Sequence, residues 1–393
     1  MSWRRFGDSF LRLFVAAMFQ ELCFSFLIHA PGYFSNLGAS EGRIGLLYSV
    51  CAVVALVLRP LLGKILDRTH RRTVLLWAGA GNALVVFVLA TTDVWGPYLW
   101  ALFLAQRAFQ VGLFTTILTY AADSIPVATR TQGMAIYGLS GLVPLAGGGY
   151  IGDVLIDGFG YPGLFIGAAT CMLISWGLFW TMPVLPIRTP EPRRGFWAAF
   201  VQRNLLPLWL ASLVFAVGME SVFTFARTYV ADRKVGSAGL YFLAYGLVAA
   251  ITRIIGGRIY DRVSHRVMLG LSLILYGSGL GMMAIAGHVV VLVVAAGMCG
   301  MAHGAAFPLL STQVVNRARE SERGSAMSIF TALFDIAVLV GAPLVGLMID
   351  LSGYFTAFGV AGISLVVGSV AYMLWDRAQV ASTLAVAGEE VRQ

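Results

Sequence analysis

The sequence predicts an all-α membrane protein with twelve transmembrane helices in two pseudo-symmetric six-helix bundles. Three observations lead there. Hydrophobic residues make up 59% of the 393 positions and charged residues only 12%, with a mean hydropathy of +0.82. A water-soluble domain of that length would lack the polar residues to cover its surface. The apolar residues fall in runs near twenty long, the length a helix needs to cross ~30 Å of hydrocarbon. In lipid each backbone amide must be satisfied inside a helix or a closed barrel, and runs of that length select helices. Finally, Gly63-Lys64-Ile65-Leu66-Asp67-Arg68 at the end of one run returns as Gly257-Arg258-Ile259-Tyr260-Asp261-Arg262 at the end of another, so the chain is a duplicated one.

The runs are 10–30, 44–66, 73–91, 97–120, 133–152, 162–182, 205–227, 240–259, 267–287, 289–313, 326–349 and 354–375. Residues 1–182 form the first bundle, 183–203 an interdomain linker, 204–376 the second bundle and 377–393 a tail. The first run follows Arg4 and Arg5 and could pass for an export signal, but Glu21 interrupts it before the expected turn at Pro31-Gly32. Lysines and arginines concentrate on the side of the N-terminus, at Lys64 to Arg72, Arg188 to Arg203 and Arg258 to Arg266. The opposite loops carry Arg43, Arg227, Arg233 and Lys234. That asymmetry places both termini in the cytoplasm. It also accounts for the net charge of +8 by attraction to an anionic leaflet, with no need of nucleic acid. Proline-rich 183–194 reads as a stiff linker, followed by a short interfacial helix around Phe196, Trp197 and Phe200. Cys23, Cys51, Cys171 and Cys299 lie in four different runs and read as packing residues, neither disulfides nor a metal site.

Charges inside the runs are the candidate functional groups. The first run contains Gln20-Glu21-Leu22-Cys23-Phe24-Ser25-Phe26 and the seventh Glu220-Ser221-Val222-Phe223-Thr224-Phe225, a shared Glu-x-x-Phe-Ser/Thr-Phe. An ionised side chain at such a depth costs between about 3 and 10 or more kcal/mol unless it meets water or a partner. Removal from water favours the neutral form of a carboxyl group, so such an acid can trade protons at cellular pH. The alternative is an acid that hydrogen-bonds neighbouring helices and never titrates. Glu220, Thr224 and Arg227 share a helix face and suggest a water-accessible stripe. Asp335 in the eleventh run and His303 in the tenth join them as proton-carrying and polar groups. In the fourth run Arg107 and Gln110 share a face, and Arg107 needs an anion, a role open to Glu21, a substrate or both in turn. Arg59 and Arg253, a matched pair one turn before the loop glycines, snorkel to the cytoplasmic face.

Gly63, Asp67, Arg68, Arg71 and Arg72 resemble the signature loop of the major facilitator superfamily, Gly-x-Leu-Ala-Asp-Arg-x-Gly-Arg-Arg, with His70 in place of the second glycine. Gly257, Asp261 and Arg262 match its degenerate second copy. Arg107-Ala108-Phe109-Gln110-Val111-Gly112 is similar to the family's Arg-x-x-Gln-Gly with one residue inserted. Pro144-x-x-Gly147-Gly148 resembles the Gly-Pro-x-x-Gly-Gly of its exporters and antiporters, with Val143 in place of the glycine. Proline and glycine there make a bendable, closely packed helix.

The resemblance implies the major facilitator fold and a secondary transporter working by alternating access. It makes Gly63, Asp67, Arg68, Arg72, Gly257, Asp261 and Arg262 gate residues. Glu21, Glu220, Asp335 and Arg107 are then expected to couple protons, with Gln20, Phe24, Gln110, Phe223, Thr224 and His303 lining the solute cavity. No phosphate-binding Gly-x-x-x-x-Gly-Lys-Ser/Thr loop occurs, so the energy comes from a gradient. The expected activity is export of a small organic molecule by proton antiport, with proton symport or facilitated uptake of a metabolite as the alternative. A membrane-embedded enzyme lacks a nucleophile-base constellation near a membrane face, and a transport-fold sensor would need lost coupling acids or an added signalling domain. Neither cofactor nor metal is expected. The partners are a small-molecule substrate, protons and the lipid of the cell inner membrane, with the chain acting as a monomer.

Overall fold

In the computed structural model, residues 7–125, 137–185, 196–256, 263–319 and 322–390 are described, without the side chains at 7, 63, 67, 122, 196 and from 380 onward. Of the expected gate residues, Gly257, Asp261 and Arg262 lie outside the described residues, as does most of the linker. Gly63 and Asp67 are described only through the backbone of their helix.

The described residues are helical almost throughout. The order is α1 (Gly7–Leu27), α2 (Ala30–Asn36), α3 (Glu41–Arg68), α4 (Arg71–Leu89), α5 (Pro97–Ser124) and α6 (Leu139–Trp180). There follow α7 (Phe196–Phe200), α8 (Leu206–Arg233), α9 (Ala238–Gly256), α10 (His265–Ala284), α11 (Val289–Arg317) and α12 (Arg323–Glu390). Local chemistry sets several starts. Ser40 caps α3 by accepting from the Arg43 amide, Pro97 opens α5 where its missing N–H costs nothing, and the His288 ring accepts from the Val290 amide at the start of α11.

Ten of the described helical stretches are long and apolar enough to cross a membrane. Two of the ten are each a pair of spans. Gly160 (φ 66°, ψ −172°) breaks α6 and Gly353 (φ 77°, ψ 171°) breaks α12, so that ten stretches, two of them double, give twelve spans. Those dihedrals belong to a region that essentially only glycine occupies. Both glycines sit in the same local sequence, Asp157-x-x-Gly160-Tyr161 and Asp350-x-x-Gly353-Tyr354. Large apolar side chains stay exposed along the spans, Trp77, Leu84 and Phe87 on α4 and Leu344, Leu347 and Leu351 on α12 among them. Lipid is the solvent that tolerates such a surface.

Three boundaries differ from the sequence expectation. Pro31-Gly32 is not a turn: the chain breaks at Ile28-His29, and Pro31 sits in the first turn of α2, where a proline is welcome. The seventh run does not end at 227, because α8 continues to Arg233 and carries Arg227 inside the helix. Beyond 376 the chain does not leave the helix, since α12 runs to Glu390.

The chain forms two compact units, Met1–Pro190 with Thr224–Leu247, and Glu191–Phe223 with Val248–Gln393. In the first, α1 lies along α6, and α4 packs on α5 and on the second limb of α6, where the Trp176 indole donates to the Leu76 carbonyl at 2.9 Å. In the second, α10 packs on α11 and α12, and the Ser369 hydroxyl donates to the Gly270 carbonyl at 2.7 Å. The two bonds join matching spans at matching positions, 176 with 369 and 76 with 270, so the duplication extends to side-chain detail. The four cysteines are free, and Cys23, Cys51 and Cys299 are buried.

Candidate functional site

The expected polar groups occupy spans in both units. On α1, Gln20 is buried and Glu21 half-buried beside it, with Phe24 one turn on. On α5, Arg107 is half-buried and Gln110 buried, while the neighbouring Gln106 amide reaches the Asn82 oxygen at 3.4 Å. Glu220 and Thr224 on α8 are 8% and 1% exposed and Phe223 is half-buried. The expected water-accessible stripe on α8 is therefore closed in this structure, and Arg227 at its end is engaged by another helix.

In the second unit Asp335 on α12 is 3% exposed. His303 on α11 sits in an aromatic cluster: its ring meets Phe215 edge-on at 5.7 Å and Phe307 at 6.0 Å, and Phe307 and Phe334 are themselves 5.8 Å apart. The Arg253 guanidinium lies over the Phe307 ring at 5.9 Å.

At the Asp-Arg loop, Arg68 is exposed and Arg72 reaches across to α6, stacking on Trp180 at 5.8 Å and donating to its carbonyl. Arg71, which the motif reading passed over as a gate, is buried. It pairs with Asp123 at 3.2 Å and donates to the Leu66 carbonyl at 3.0 Å, tying α3, α4 and α5 together.

Along Pro144-x-x-Gly147-Gly148 the backbone of α6 keeps helical dihedrals. A Cβ at Gly148 would stand 2.5 Å from the Ser25 Cβ of α1, whereas one at Gly147 would meet nothing within 4 Å. Of the two glycines only Gly148 is required by a close neighbour.

The most densely connected charged group is one that the sequence reading missed. Asp153, 7% exposed on α6, accepts at Oδ1 from Arg227 Nη1 of α8 at 2.6 Å and at Oδ2 from the backbone N–H of Gly239 at 2.7 Å. Gly239 is in the first turn of α9, where unpaired amides and the helix dipole favour an anion. His29, fully buried at the break between α1 and α2, donates from Nε2 to the Gly149 carbonyl at 2.9 Å. Its Nδ1 faces Asp153 Oδ1 at 3.7 Å. Glycines make the room: a Cβ at Gly239 would lie 2.3 Å from Asp153 Oδ2, one at Gly152 2.5 Å from His29, and one at Gly32 2.6 Å from Arg227. A signal was available, since His29 and Asp153 sit at the ends of apolar runs and Arg227 closes another. Each was set aside because the run stopped there.

Twelve spans in duplicated halves, with acids and bases buried along them, define a polytopic membrane protein built to move polar matter through lipid. The profile of the Major Facilitator Superfamily matches residues 10–238 and again 234–391, and the chain belongs to that superfamily. It is a secondary transporter of small solutes and not an enzyme. Among its relatives, "Transcription regulatory protein OpdE" of Pseudomonas aeruginosa is 22% identical, covering 88% of this chain and 87% of its own. An uncharacterized MFS-type transporter of Burkholderia mallei is 25% identical over the same shares. Of solved structures, the nucleoside transporter NupG superposes with a TM-score of 0.75 at 16% identity, covering 94% of this chain and 99% of that one. A POT family transporter in complex with a thioalcohol-conjugated peptide gives 0.80 at 12% identity, covering 94% and 96%. At these identities the structural likeness is one of fold.

Proposed function

We propose that the protein is a proton-coupled antiporter of the inner membrane that exports a small organic solute from the cytoplasm by alternating access, with both termini on the cytoplasmic side. The bundles 1–182 and 204–376, joined by 183–203, are its moving parts. The observation that carries the coupling is the burial of Glu220 and Asp335, at 8% and 3% exposure, in spans otherwise almost free of charge. An acid is kept at such a depth against its desolvation cost when its charge is used. Glu21 and Arg107 on α1 and α5 complete the coupling set, and Gln20, Phe24, Gln110, Phe223, Thr224 and His303 contact the solute. Gly63, Asp67, Arg68 and Arg72, with Gly257, Asp261 and Arg262, form the cytoplasmic gate. Export is favoured by the Pro144-x-x-Gly147-Gly148 motif.

The test is reconstitution into liposomes with an imposed pH gradient and a panel of candidate solutes. A solute that moves against the proton flow, with gradient-driven flux abolished and solute exchange spared in Glu220→Gln or Asp335→Asn, is the expected result. Flux indifferent to the gradient removes the coupling, and movement in the same direction as the protons replaces export by uptake.

A further inference from the structure

We propose that His29 and Asp153 form a proton-binding site separate from the acids above, in which the incoming proton and the Arg227 guanidinium compete for one carboxylate oxygen, so that proton uptake loosens the hold of α8 and α9 on α6.

The argument starts at single atoms. A neutral imidazole carries hydrogen on one nitrogen only, and the bond from His29 Nε2 to the Gly149 carbonyl fixes it there. Nδ1 is then a bare acceptor, fully buried and without a hydrogen-bond partner, pointing at Asp153 Oδ1 from 3.7 Å. Two acceptors face each other beyond the 2.7–3.2 Å of an N–H···O bond. One proton placed between them turns the mismatch into a charge-assisted bond. The geometry is therefore complete except for that proton.

Oδ1 is the oxygen that Arg227 already holds at 2.6 Å. With the proton on Nδ1, two cations share one carboxylate; with the proton on Asp153, Arg227 loses its counter-charge. Either way the attachment of α8 weakens, and in the second case the bond from Gly239 to Oδ2 weakens with it. Little else at this end of the seam has direction. Where α9 lies against α6 the contact is made by small residues, Gly239 on Gly149 and Gly246 on Ala146, with no interlocking side chains.

The surrounding titratable groups leave the pair to itself. Tyr161, on the second limb of α6, hydrogen-bonds with Arg227, and Tyr33 of α2 stacks against Tyr161. Glu41 of α3 accepts from the Thr228 hydroxyl at 3.1 Å, while Asp157 on α6 and Asp232 and Arg233 on α8 are exposed to solvent.

The experiment uses the full chain with its native cysteines replaced and spin labels at Gly158→Cys and Ala231→Cys, two exposed positions on α6 and α8. Their separation is measured in lipid between about pH 8 and about pH 5, the range in which a histidine changes charge. A single short distance at the upper pH that gains a longer population at the lower pH is expected. His29→Gln, whose amide can still donate to Gly149 but takes no proton, is expected to keep the short distance and lose the response. Asp153→Asn is expected to show the long population throughout; should it fail to fold, His29→Gln decides alone. A pH-independent distance in the parent overturns the proposal, as does an unchanged response in His29→Gln, or a response abolished by Glu220→Gln but kept in His29→Gln. Because the readout is a distance, failure of the flux assay for Glu220 leaves this result standing.

Discussion

Replacing Gly246 by alanine isolates the part played by the small-residue seam between α6 and α9. A Cβ at Gly246 would stand 2.8 Å from Cα, Cβ and N of Ala146. Carbon atoms in good contact lie ~3.5–4.0 Å apart, so the two helices must separate by about 1 Å. Two of the three atoms met are backbone, and no side chain can swing aside. Overpacking of this kind costs about 1–3 kcal/mol, a shift of roughly 5- to 150-fold in the balance between the packed and parted arrangements.

The assay is the rate at which an impermeant maleimide labels a cysteine at Ala238, a fully buried position on α9, in a chain otherwise free of cysteine. When closing is fast relative to labelling, the rate follows the parted population, and Gly246→Ala is expected to raise it by that factor. Gly147→Ala on the facing helix, where a Cβ meets nothing within 4 Å, is expected to leave it unchanged. A rate within about twofold of the parent for Gly246→Ala, or an equal rise for Gly147→Ala, would refute close approach as what holds the seam.

Gly160→Ala and Gly353→Ala are each expected to destabilise the protein by about 1–3 kcal/mol, measured as a lowered midpoint of thermal unfolding in detergent. Asparagine is expected to do no better than alanine, because those dihedrals admit essentially only glycine. Asp376→Ala leaves Arg317, 20% exposed, without its carboxylate, and is expected to cost on the order of 3 kcal/mol. The double replacement Arg317→Met with Asp376→Leu is expected to cost less than the single one, a difference that unfolding midpoints will read directly. If Asp376→Ala unfolds like the parent, the pair does not anchor α11 to α12.

The spans were legible because hydrocarbon demands a fixed length of apolar residues, a local requirement that a run of sequence states openly. The duplication was legible too, through Glu21 and Glu220 and through the two Asp-Arg loops. Its most exact expression was overlooked, the glycine reversals after Asp157 and Asp350, since a one-residue turn hardly interrupts hydropathy. The cluster at Asp153 was hidden for a different reason. His29, Asp153 and Arg227 each ended an apolar run and so read as the edge of the membrane. What lets the helix at Arg227 continue is a counter-charge 74 positions away, and no periodicity reports a partner at that distance.

The reversal at Gly160 has a mechanical consequence. With one residue between them, the fifth and sixth spans are a stiff hairpin and cannot be displaced independently. Arg227 touches both arms, Asp153 on one and Tyr161 on the other, and so grips the hairpin near its bend, where a small push has its longest lever. Letting go of that one guanidinium would free two spans together, turning an event of atomic size into a tilt felt along the whole depth of the bilayer.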